Sequence, residues 1–513
     1  MKYPIGIQGF EKIRKDGYVY VDKTAYVYQM ATEGCYYFLS RPRRFGKSLL
    51  ISTLEAYFNG RKDLFEGLAI AEMETEWKSY PVLHLDLNTR KYDSKEALTL
   101  ELGRHLEMWE REYGDEFSER ATEERFLQII KKAYEKTGMR VVILVDEYDK
   151  PMLQAIGNDK LQAEYRSTLK AFYSVLKTCD QYIQFAFLTG VTKFGKVSVF
   201  SDLNNLNDLS MDRCYVGVCG ITETELPKYF DESVALLASK NDMDKEACYA
   251  QLKYMYDGYH FYPNTEGVYN PFSVLNTLLK GSFGTYWFET GTPTFLVELL
   301  KKHKYSLEQL EKVQTSADVL NSIDAMSDNP VPVIYQAGYL TITGYDSRFK
   351  LYKLGFPNKE VEEGFMQYLL PFYSSYTSVE APFQISQFIR EIEDGETGKF
   401  LVRLNSFFAD TPYELVKDLE NHYQNVLFIL SKLCGFYVMA EYHTSAGRID
   451  MVLKTDKYVY VMEFKLDGTA EDALKQIEQK DYTLPFTVED RQVVKIGLNF
   501  SNQTRNIEKW VVA

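Results

Sequence analysis

The sequence has no apolar run near the roughly 20 residues that a membrane-spanning helix needs, and no apolar signal segment follows its first residues. Its six cysteines are scattered without a C-x-x-C pair, and its six histidines form no H-E-x-x-H motif. A cysteine zinc site is therefore disfavoured, and free thiols in a reducing compartment are favoured. We expect a cytoplasmic protein with no membrane partner.

The chain also lacks an excess of positive charge. Its 59 Lys and Arg residues face 73 Asp and Glu residues, which gives a net charge of −14. A protein that binds nucleic acid over a broad electrostatic surface is usually basic, so any such role must use a local patch or a partner. With 513 residues, 45% hydrophobic and 26% charged, the chain is typical of folded globular material in several domains.

A phosphate-binding loop is predicted at residues 40–48, which read S-R-P-R-R-F-G-K-S. An apolar strand-like segment precedes this loop, and a helical pattern follows it. Backbone N–H groups in such a strand–loop–helix junction cradle an anion. After the Gly46 turn, Lys47 can reach the β- and γ-phosphates of a nucleotide, and the Ser48 hydroxyl can bind Mg²⁺.

Residues 141–147, V-V-I-L-V-D-E, predict a buried strand that ends in two carboxylates. Such a strand places Asp146 near the metal and Glu147 where it can polarise an attacking water. A neighbouring strand is predicted to end at Thr189, with Thr192 shortly after it. These threonines either sense the γ-phosphate or cap the turn that follows the strand.

Arginine is unusually placed in the predicted loop. Arg41 occupies the first glycine position of the general pattern G-x-x-x-x-G-K-[ST], which is compatible with a negative φ. Arg43 and Arg44 are candidates to contact phosphate or a neighbouring acidic surface. No arginine finger is assigned in cis: Arg43, Arg44, Arg166 and Arg213 are candidates, and a neighbouring subunit could supply one in trans. The competing interpretation of the loop is an ordinary strand–turn–helix with a basic turn.

Alternating strand and helix patterns predict that residues 1–285 form an α/β domain around a parallel sheet. Residues 286–410 predict a mainly helical middle region. Within it, a helical pattern at 331–340 and a ribbon near 349–352 resemble a winged helix. Residues 411–513 are predicted to form a third domain.

The third domain carries a second charged constellation. Asp450 begins one strand of a predicted hairpin, and alternation on the other strand puts Glu463 and Lys465 on one face. The two carboxylates can hold Mg²⁺ or Mn²⁺, and the lysine can orient or activate water for attack on a phosphodiester. Gln476, on the following helix, can position the nucleophile or the phosphate. The competing interpretation is a surface Glu–Lys pair worth ~0–1 kcal/mol. Glu420 either adds an outer metal contact or is a solvated helix residue.

Separate motifs occur in order along nearly the whole chain: S-R-P-R-R-F-G-K-S, V-D-E-Y-D-K-P, L-T-G-V-T-K-F, Y-N-P-F-S-V, Y-W-F-E-T-G-T-P, Q-A-G-Y-L-T-I, G-R-I-D and M-E-F-K-L-D-G. Together they resemble bacterial proteins that pair an AAA-ATPase-like P-loop NTPase domain with a C-terminal PD-(D/E)XK nuclease-like domain, a restriction-endonuclease-like α/β fold. In that family an arginine commonly stands where Arg41 does. The resemblance implies nucleotide binding by Lys47, Ser48 and Asp146, hydrolysis aided by Glu147, and nuclease roles for Asp450, Glu463 and Lys465.

Three functions compete at this point. The leading hypothesis is an ATP-regulated nuclease, in which ATP and Mg²⁺ bind the first domain and nucleic acid binds the last. The alternative is a nucleotide-switch scaffold whose nuclease-like domain binds nucleic acid or a protein without cleaving. A third is an ATPase whose last domain recognises a protein partner. Whether the chain forms a homo-oligomer stays open.

Overall fold

The computed structural model describes residues 1–114, 119–193, 206–288, 296–297, 300, 305–311, 313–321, 329–373, 380–409, 419–433, 437–444, 447–487, 490–504 and 506–513. The chain divides into two compact units, residues 1–290 with 313–360 and residues 291–312 with 361–513. The predicted middle region is therefore shared between the units. The three-domain division at residues 285 and 410 stays a prediction.

A parallel sheet forms the centre of the first unit. In the described residues its strand order is β2–β3–β4–β1–β5. All residues of β1 and β3, and all but one of β4, are buried, as expected when helices cover both faces of a parallel sheet. The predicted P-loop-type α/β fold is confirmed. The strands are β1 (Tyr36–Ser40), β2 (Val82–Asp86), β3 (Val141–Asp146), β4 (Ile183–Gly190) and β5 (Asn207–Asp208).

The helices of the first unit connect these strands and extend beyond them. Helices between consecutive parallel strands are the usual way to return the chain to the same edge of the sheet. They are α1 (Phe10–Lys15), α2 (Thr24–Glu33), α3 (Lys47–Phe58), α4 (Ile70–Met73), α5 (Lys95–Tyr113), α6 (Thr122–Thr137), α7 (Lys150–Gln154), α8 (Asp159–Thr178), α9 (Glu225–Lys240), α10 (Lys245–Tyr256), α11 (Pro271–Lys280), α12 (Ala317–Leu320) and α13 (Val331–Gln336).

Two small antiparallel sheets complete the first unit. One pairs β6 (Ile221–Thr222) with β7 (Val268–Tyr269). The other has the order β8–β10–β9 and consists of β8 (Gln314–Thr315), β9 (Thr341–Asp346) and β10 (Leu351–Gly355). The helix α13 precedes the β9–β10 ribbon, which is the helix-then-ribbon order that the sequence predicts for the middle region.

The second unit contains a mixed sheet in the order β11–β12–β13–β14–β15. Its β13 and β14 are parallel, because the helix α18 lies between them in the chain, and the other pairs are antiparallel. Apolar residues of β12, β13 and α18 share one core cluster. The strands are β11 (Tyr437–Thr444), β12 (Gly447–Lys454), β13 (Tyr458–Leu466), β14 (Gln492–Ser501) and β15 (Asn506–Val512), and the later helices are α14 (Lys359–Tyr373), α15 (Ala381–Glu393), α16 (Thr397–Ala409), α17 (Leu419–Leu433) and α18 (Ala470–Gln479).

Short 3-10 helices supplement these elements at Lys62–Phe65, Leu87–Thr89, Asp180–Tyr182, Leu209–Met211, Arg213–Tyr215, Leu307–Glu311 and Leu484–Phe486. Within the described ranges, none of the helices combines the length and apolar character that crossing a bilayer requires.

Candidate functional sites

The first candidate site lies where the central parallel strands end. Ser40, at the end of β1, pairs with Gly190 at the end of β4, and Asp146 ends the next strand, β3. The carboxyl ends of parallel strands form the edge at which α/β proteins bind ligands. The predicted phosphate loop and the predicted acidic pair therefore meet at one edge.

The loop itself forms an open cradle. Gly46 has φ 97° and Arg44 has φ 67°, so the chain turns through left-handed backbone conformations before α3 begins at Lys47. A Cβ placed on Gly46 would meet no atom within 4 Å, so the space over the turn is open. A cavity of about 490 Å³ covers this region, and its lining includes Arg43, Arg44, Gly46, Lys47, Ser48 and Glu147. An open glycine turn beneath several cations fits a nucleotide phosphate chain.

Two predicted side chains make a charged pair inside this cavity. The Lys47 side chain is only 3% exposed, and its ammonium lies 3.5 Å from the carboxylate of Glu147. The same ammonium donates to the carbonyl of Pro42 at 3.2 Å. Glu147 itself has φ 52°, a left-handed conformation that ends the strand and redirects the chain. Lysine and glutamate thus lie together although 100 residues separate them.

Asp146 is buried next to the loop serine and is not part of the cavity lining. A hydrogen bond joins the Ser48 side chain to the Asp146 carboxylate. Burial raises the pKa of Asp146, and this hydrogen bond opposes the shift. A hydroxyl and a carboxylate in contact are the hard oxygen ligands that Mg²⁺ accepts, so the pair fits the predicted metal role.

The two candidate sensor threonines are fully buried at the end of β4 and beyond it. The Thr189 hydroxyl donates to the carbonyl of Leu39 at 2.8 Å, and the Thr192 hydroxyl donates to the carboxylate of Asp149. Both hydroxyls therefore bond to segments that are distant in the sequence, and both the sensor role and the turn-cap alternative stay predictions. Asp149 also accepts from the backbone N–H of Thr192 at 2.6 Å, which ties the chain after Glu147 to β4.

Arg41 points inward rather than toward the cavity, which sequence reasoning did not anticipate. Its side chain is fully buried, and its guanidinium donates to the carbonyls of Ser40, Ser210 and Tyr215 at 2.8–3.1 Å. The guanidinium also lies 3.8 Å from the ring centroid of Phe261. Burial lowers the pKa of Arg41 to about 10. Arg41 therefore anchors the start of the loop.

The four arginine-finger candidates differ in their position relative to the cavity. Arg43 and Arg44 line the cavity from its exposed side, whereas Arg166 and Arg213 are not part of the lining. The lining also contains Asn88 and Lys150, which sequence reasoning missed. Lys150 belongs to the motif V-D-E-Y-D-K-P, and that position was the available signal.

The second candidate site lies on the β12–β13 hairpin. The pairing of Met451 with Met462 places Asp450, the residue before, opposite Glu463, the residue after. The Asp450 carboxylate accepts from the backbone N–H of Phe464 at 2.8 Å. This bond fixes the carboxylate beside the end of the ladder, where the predicted pair of carboxylates converges.

Lys465 and Gln476 complete the constellation. The Lys465 ammonium lies 3.7 Å from the Glu463 carboxylate and donates to the Gln476 side-chain oxygen at 2.5 Å. The Gln476 amide in turn donates to the same Glu463 oxygen. The helix α18 therefore supplies a side-chain amide that contacts both charged groups. The fold brings together all four residues that the sequence predicts here, while the side chain of Glu420 lies outside the described residues.

Glu463 is in an unusual electrostatic position. Its side chain is 3% exposed, and its second carboxylate oxygen has no hydrogen-bond partner among the described residues. Burial and the neighbouring Asp450 carboxylate raise the pKa of Glu463 to about 7, and Lys465 opposes the shift. An unsatisfied buried oxygen beside a second carboxylate fits a divalent cation, which would stabilise both charges.

The protein ligands to such a cation would be few. In the described ranges no group of three or more His, Cys, Asp or Glu side chains is placed to hold a metal. Asp450 and Glu463 border a cavity of about 850 Å³, so water or a phosphate oxygen has room to complete the coordination. This arrangement favours Mg²⁺ or Mn²⁺, which keep water ligands, over metals that require a full set of protein ligands.

Comparison with known proteins gives a match for each of the two regions that contain these candidate sites. Residues 4–200 match a family model described as a predicted AAA-ATPase, and residues 418–510 match one described as the PD-(D/E)XK nuclease superfamily. A relative described as an uncharacterized protein in the vnfD 5′ region of Azotobacter chroococcum mcd 1 is 35% identical over 526 residues, covering 100% of this chain and 98% of the relative. The chain therefore belongs to the family of bacterial proteins that join an AAA-ATPase-like region to a PD-(D/E)XK nuclease superfamily region.

Proposed function

We propose that this protein is an ATP-binding P-loop ATPase coupled to a metal-dependent PD-(D/E)XK-type nuclease that acts on nucleic acid. The observation that carries the proposal is the side-chain network of Glu463, Lys465 and Gln476 beside Asp450. A structural hairpin gains nothing from a buried carboxylate with an unsatisfied oxygen, whereas a metal-dependent phosphodiesterase requires one.

In the ATPase half, the residues around the glycine turn have separate roles in binding phosphate, binding metal and orienting water. Lys47 neutralises charge on the β- and γ-phosphates, and the backbone N–H groups at the start of α3 hold the phosphate chain. Ser48 and Asp146 would hold Mg²⁺, which supplies further neutralisation of phosphate charge. Glu147, 3.5 Å from Lys47, orients the attacking water and accepts its proton.

In the nuclease half, Asp450 and Glu463 would hold Mg²⁺ or Mn²⁺, which supplies charge stabilisation at the scissile phosphate. Gln476 fixes the Lys465 ammonium on the cavity side of the pair. From there Lys465 orients the attacking water and neutralises charge that develops on the phosphate. Because the pKa of Glu463 is about 7, binding of a cation near neutral pH would displace a proton from this carboxylate into solvent.

Charge around the second cavity favours nucleic acid as the substrate despite the net charge of −14. The lining contains four cationic side chains and three carboxylates. This local excess of positive charge favours binding of phosphate groups. The cations are Arg448, Lys465, Lys475 and Lys480, and the carboxylates are Asp450, Glu463 and Asp472.

The nuclease proposal is tested with single- and double-stranded DNA and RNA, incubated with Mg²⁺ or Mn²⁺ and with or without ATP. Wild type should cleave at least one substrate, and Asp450→Ala should not, because a single carboxylate cannot retain the metal. Asp456→Ala, an exposed change in the β12–β13 turn, is the matched control and should cleave normally. Equal cleavage by wild type and Asp450→Ala would indicate another site. Binding without cleavage by wild type would support the scaffold alternative.

The ATPase proposal is tested separately by nucleotide binding and phosphate release. Glu147→Gln should bind ATP with wild-type affinity and hydrolyse it about 10²–10⁴-fold more slowly, because only the general base is removed. Full hydrolysis by this variant would contradict the assignment of Glu147. Absence of nucleotide binding by wild type would refute the ATPase half and leave the nuclease half standing.

A further inference from the structure

Lys150 lines the cavity of about 490 Å³ over the glycine turn and has no role in the mechanism described so far. It begins α7, three residues after Glu147, and lines the same cavity as Lys47 and Ser48. It is partly buried, unlike Arg43 and Arg44, which line the cavity as exposed residues. A cation at this depth is better protected from water than the loop arginines.

The partners of Lys150 are neutral oxygens. Its ammonium donates to the backbone carbonyl of Asn88 at 2.6 Å and to the Asn88 side-chain oxygen. Within the described ranges it forms no ion pair, whereas the nearby Lys47 lies against Glu147 and the buried Lys23 lies 2.6 Å from Glu225. Burial lowers the pKa of Lys150, and the carboxylates of Glu147 and Asp86 oppose that shift without forming an ion pair with it.

The Lys150 side chain is partly buried, although its hydrogen bonds to Asn88 are exposed. An ammonium held only by uncharged oxygens retains most of its attraction for an anion. Asn88 follows the end of β2 in the short helical turn Leu87–Thr89, so the sheet scaffold fixes the direction from which the ammonium is held. In a cavity over a glycine turn, the ligand that fits such a cation is a phosphoryl oxygen.

We infer that Lys150 is the cation supplied in cis to the γ-phosphoryl group during hydrolysis, in the role that an arginine finger has elsewhere. The inference rests on the proposed ATPase function. Water oxygen forms the new bond to the γ-phosphorus, and the bond from that phosphorus to the β–γ bridging oxygen breaks, with the electron pair leaving on ADP. Glu147 accepts the proton of the water. Lys150 transfers no proton and stabilises the charge of the migrating phosphoryl group.

The test compares Lys150→Gln with the matched control Lys160→Ala, which removes an exposed lysine from α8. Three quantities are measured for each: affinity for ADP, affinity for a non-hydrolysable ATP analogue, and kcat. For Lys150→Gln we expect ADP affinity within about twofold of wild type, analogue affinity about tenfold weaker, and kcat about 10²–10³-fold lower. Lys160→Ala should leave all three unchanged.

The outcomes separate this inference from the function on which it rests. If wild type binds neither nucleotide, the proposed ATPase function and the role of Lys150 both fail. If wild type binds both and Lys150→Gln keeps the same analogue-to-ADP preference and the same kcat, the role of Lys150 alone is wrong. A variant that loses ADP affinity and thermal stability together would show that Lys150 only anchors the Asn88 turn, which also overturns the inference. If wild type binds both nucleotides without hydrolysing ATP, the binding data alone test the inference. A reduced analogue-to-ADP preference in Lys150→Gln then supports it, and an unchanged preference overturns it.

Discussion

The central charged groups of the two candidate sites are the same side-chain types in opposite proportions. In the first cavity, Lys47 and Lys150 surround one lining carboxylate, Glu147, and an open glycine turn. In the second, the two carboxylates Asp450 and Glu463 converge beside the Lys465 ammonium, with one buried oxygen left without a hydrogen bond among the described residues. The first is therefore built to receive an anion and the second to receive a cation.

The difference shows that a lysine near a carboxylate does not define a role. Lys47 is 3% exposed and belongs to a loop whose backbone already favours anions. Lys465 is 31% exposed, and Gln476 holds it beside carboxylates that determine the charge of the site. The roles of Lys47 and Lys465 are distinguished by backbone conformation and by the number of neighbouring carboxylates. The Lys–Glu distance does not distinguish them.

The largest expected effect comes from removing each lysine in turn. Lys47→Ala should weaken ATP binding about 100-fold, because a buried charge-assisted contact to phosphate is lost. Lys465→Ala should retain Mn²⁺ affinity and lose cleavage, because only water orientation and charge neutralisation are removed. Calorimetric titration with ATP and with Mn²⁺ measures both affinities.

Lys62→Ala and Lys457→Ala, both exposed, are the matched controls for these two changes. Normal ATP binding by Lys47→Ala would contradict the role of Lys47 in phosphate binding. Loss of the metal together with activity in Lys465→Ala would contradict the assigned role of Lys465.

An intermediate effect is expected from Arg41, the fully buried cation that anchors the start of the loop. Arg41→Met leaves the carbonyls of Ser40, Ser210 and Tyr215 without this donor, which should lower the free energy of unfolding by roughly 2–4 kcal/mol. Arg61→Met removes only exposed ion pairs and should cost at most about 1 kcal/mol. Denaturant unfolding followed by a probe in the first unit measures both. Equal losses would show that Arg41 is not an anchor.

The smallest effect concerns the charge of Glu463. Its pKa of about 7 in the folded chain exceeds the ordinary value of about 4.3, so ionisation destabilises the metal-free fold as pH rises between these values. Glu463→Gln should therefore unfold roughly 2–4 °C above wild type at pH 8, with a smaller difference at pH 5. Thermal melts of the metal-free proteins at the two pH values measure this. A difference that does not grow with pH would contradict the buried-charge account.

Much of both sites was predictable because the residues are close in sequence or fixed by periodicity. Lys47 and Ser48 follow a glycine turn, Asp146 ends an apolar strand, and alternation alone aligns Glu463 with Lys465. Each of these features is local, and the order of strands then brings them to one edge. The parallel sheet of the first unit and the hairpin of the second follow from the same local patterns.

The rest depends on tertiary contacts that no local pattern contains. Lys150 is hydrogen-bonded to Asn88, 62 residues away in the sequence. Arg41 turns inward because carbonyls 169 and 174 residues away accept hydrogen bonds from its guanidinium. The grouping of β8, β9 and β10 with the first unit likewise results from contacts between distant segments. Sequence spacing has no information about such partners, so the predicted middle region rests on local helix and strand patterns alone.

The central claim, an anion site in the first unit and a cation site in the second, is tested most directly by counting bound Mn²⁺ with and without an ATP analogue. Wild type, Lys47→Ala and Asp450→Ala are compared by electron paramagnetic resonance. We predict that Asp450→Ala loses the Mn²⁺ that wild type binds without nucleotide, and that Lys47→Ala loses only the additional Mn²⁺ that binds with the analogue. Nucleotide-free Mn²⁺ that persists in Asp450→Ala, or disappears in Lys47→Ala, would contradict the account.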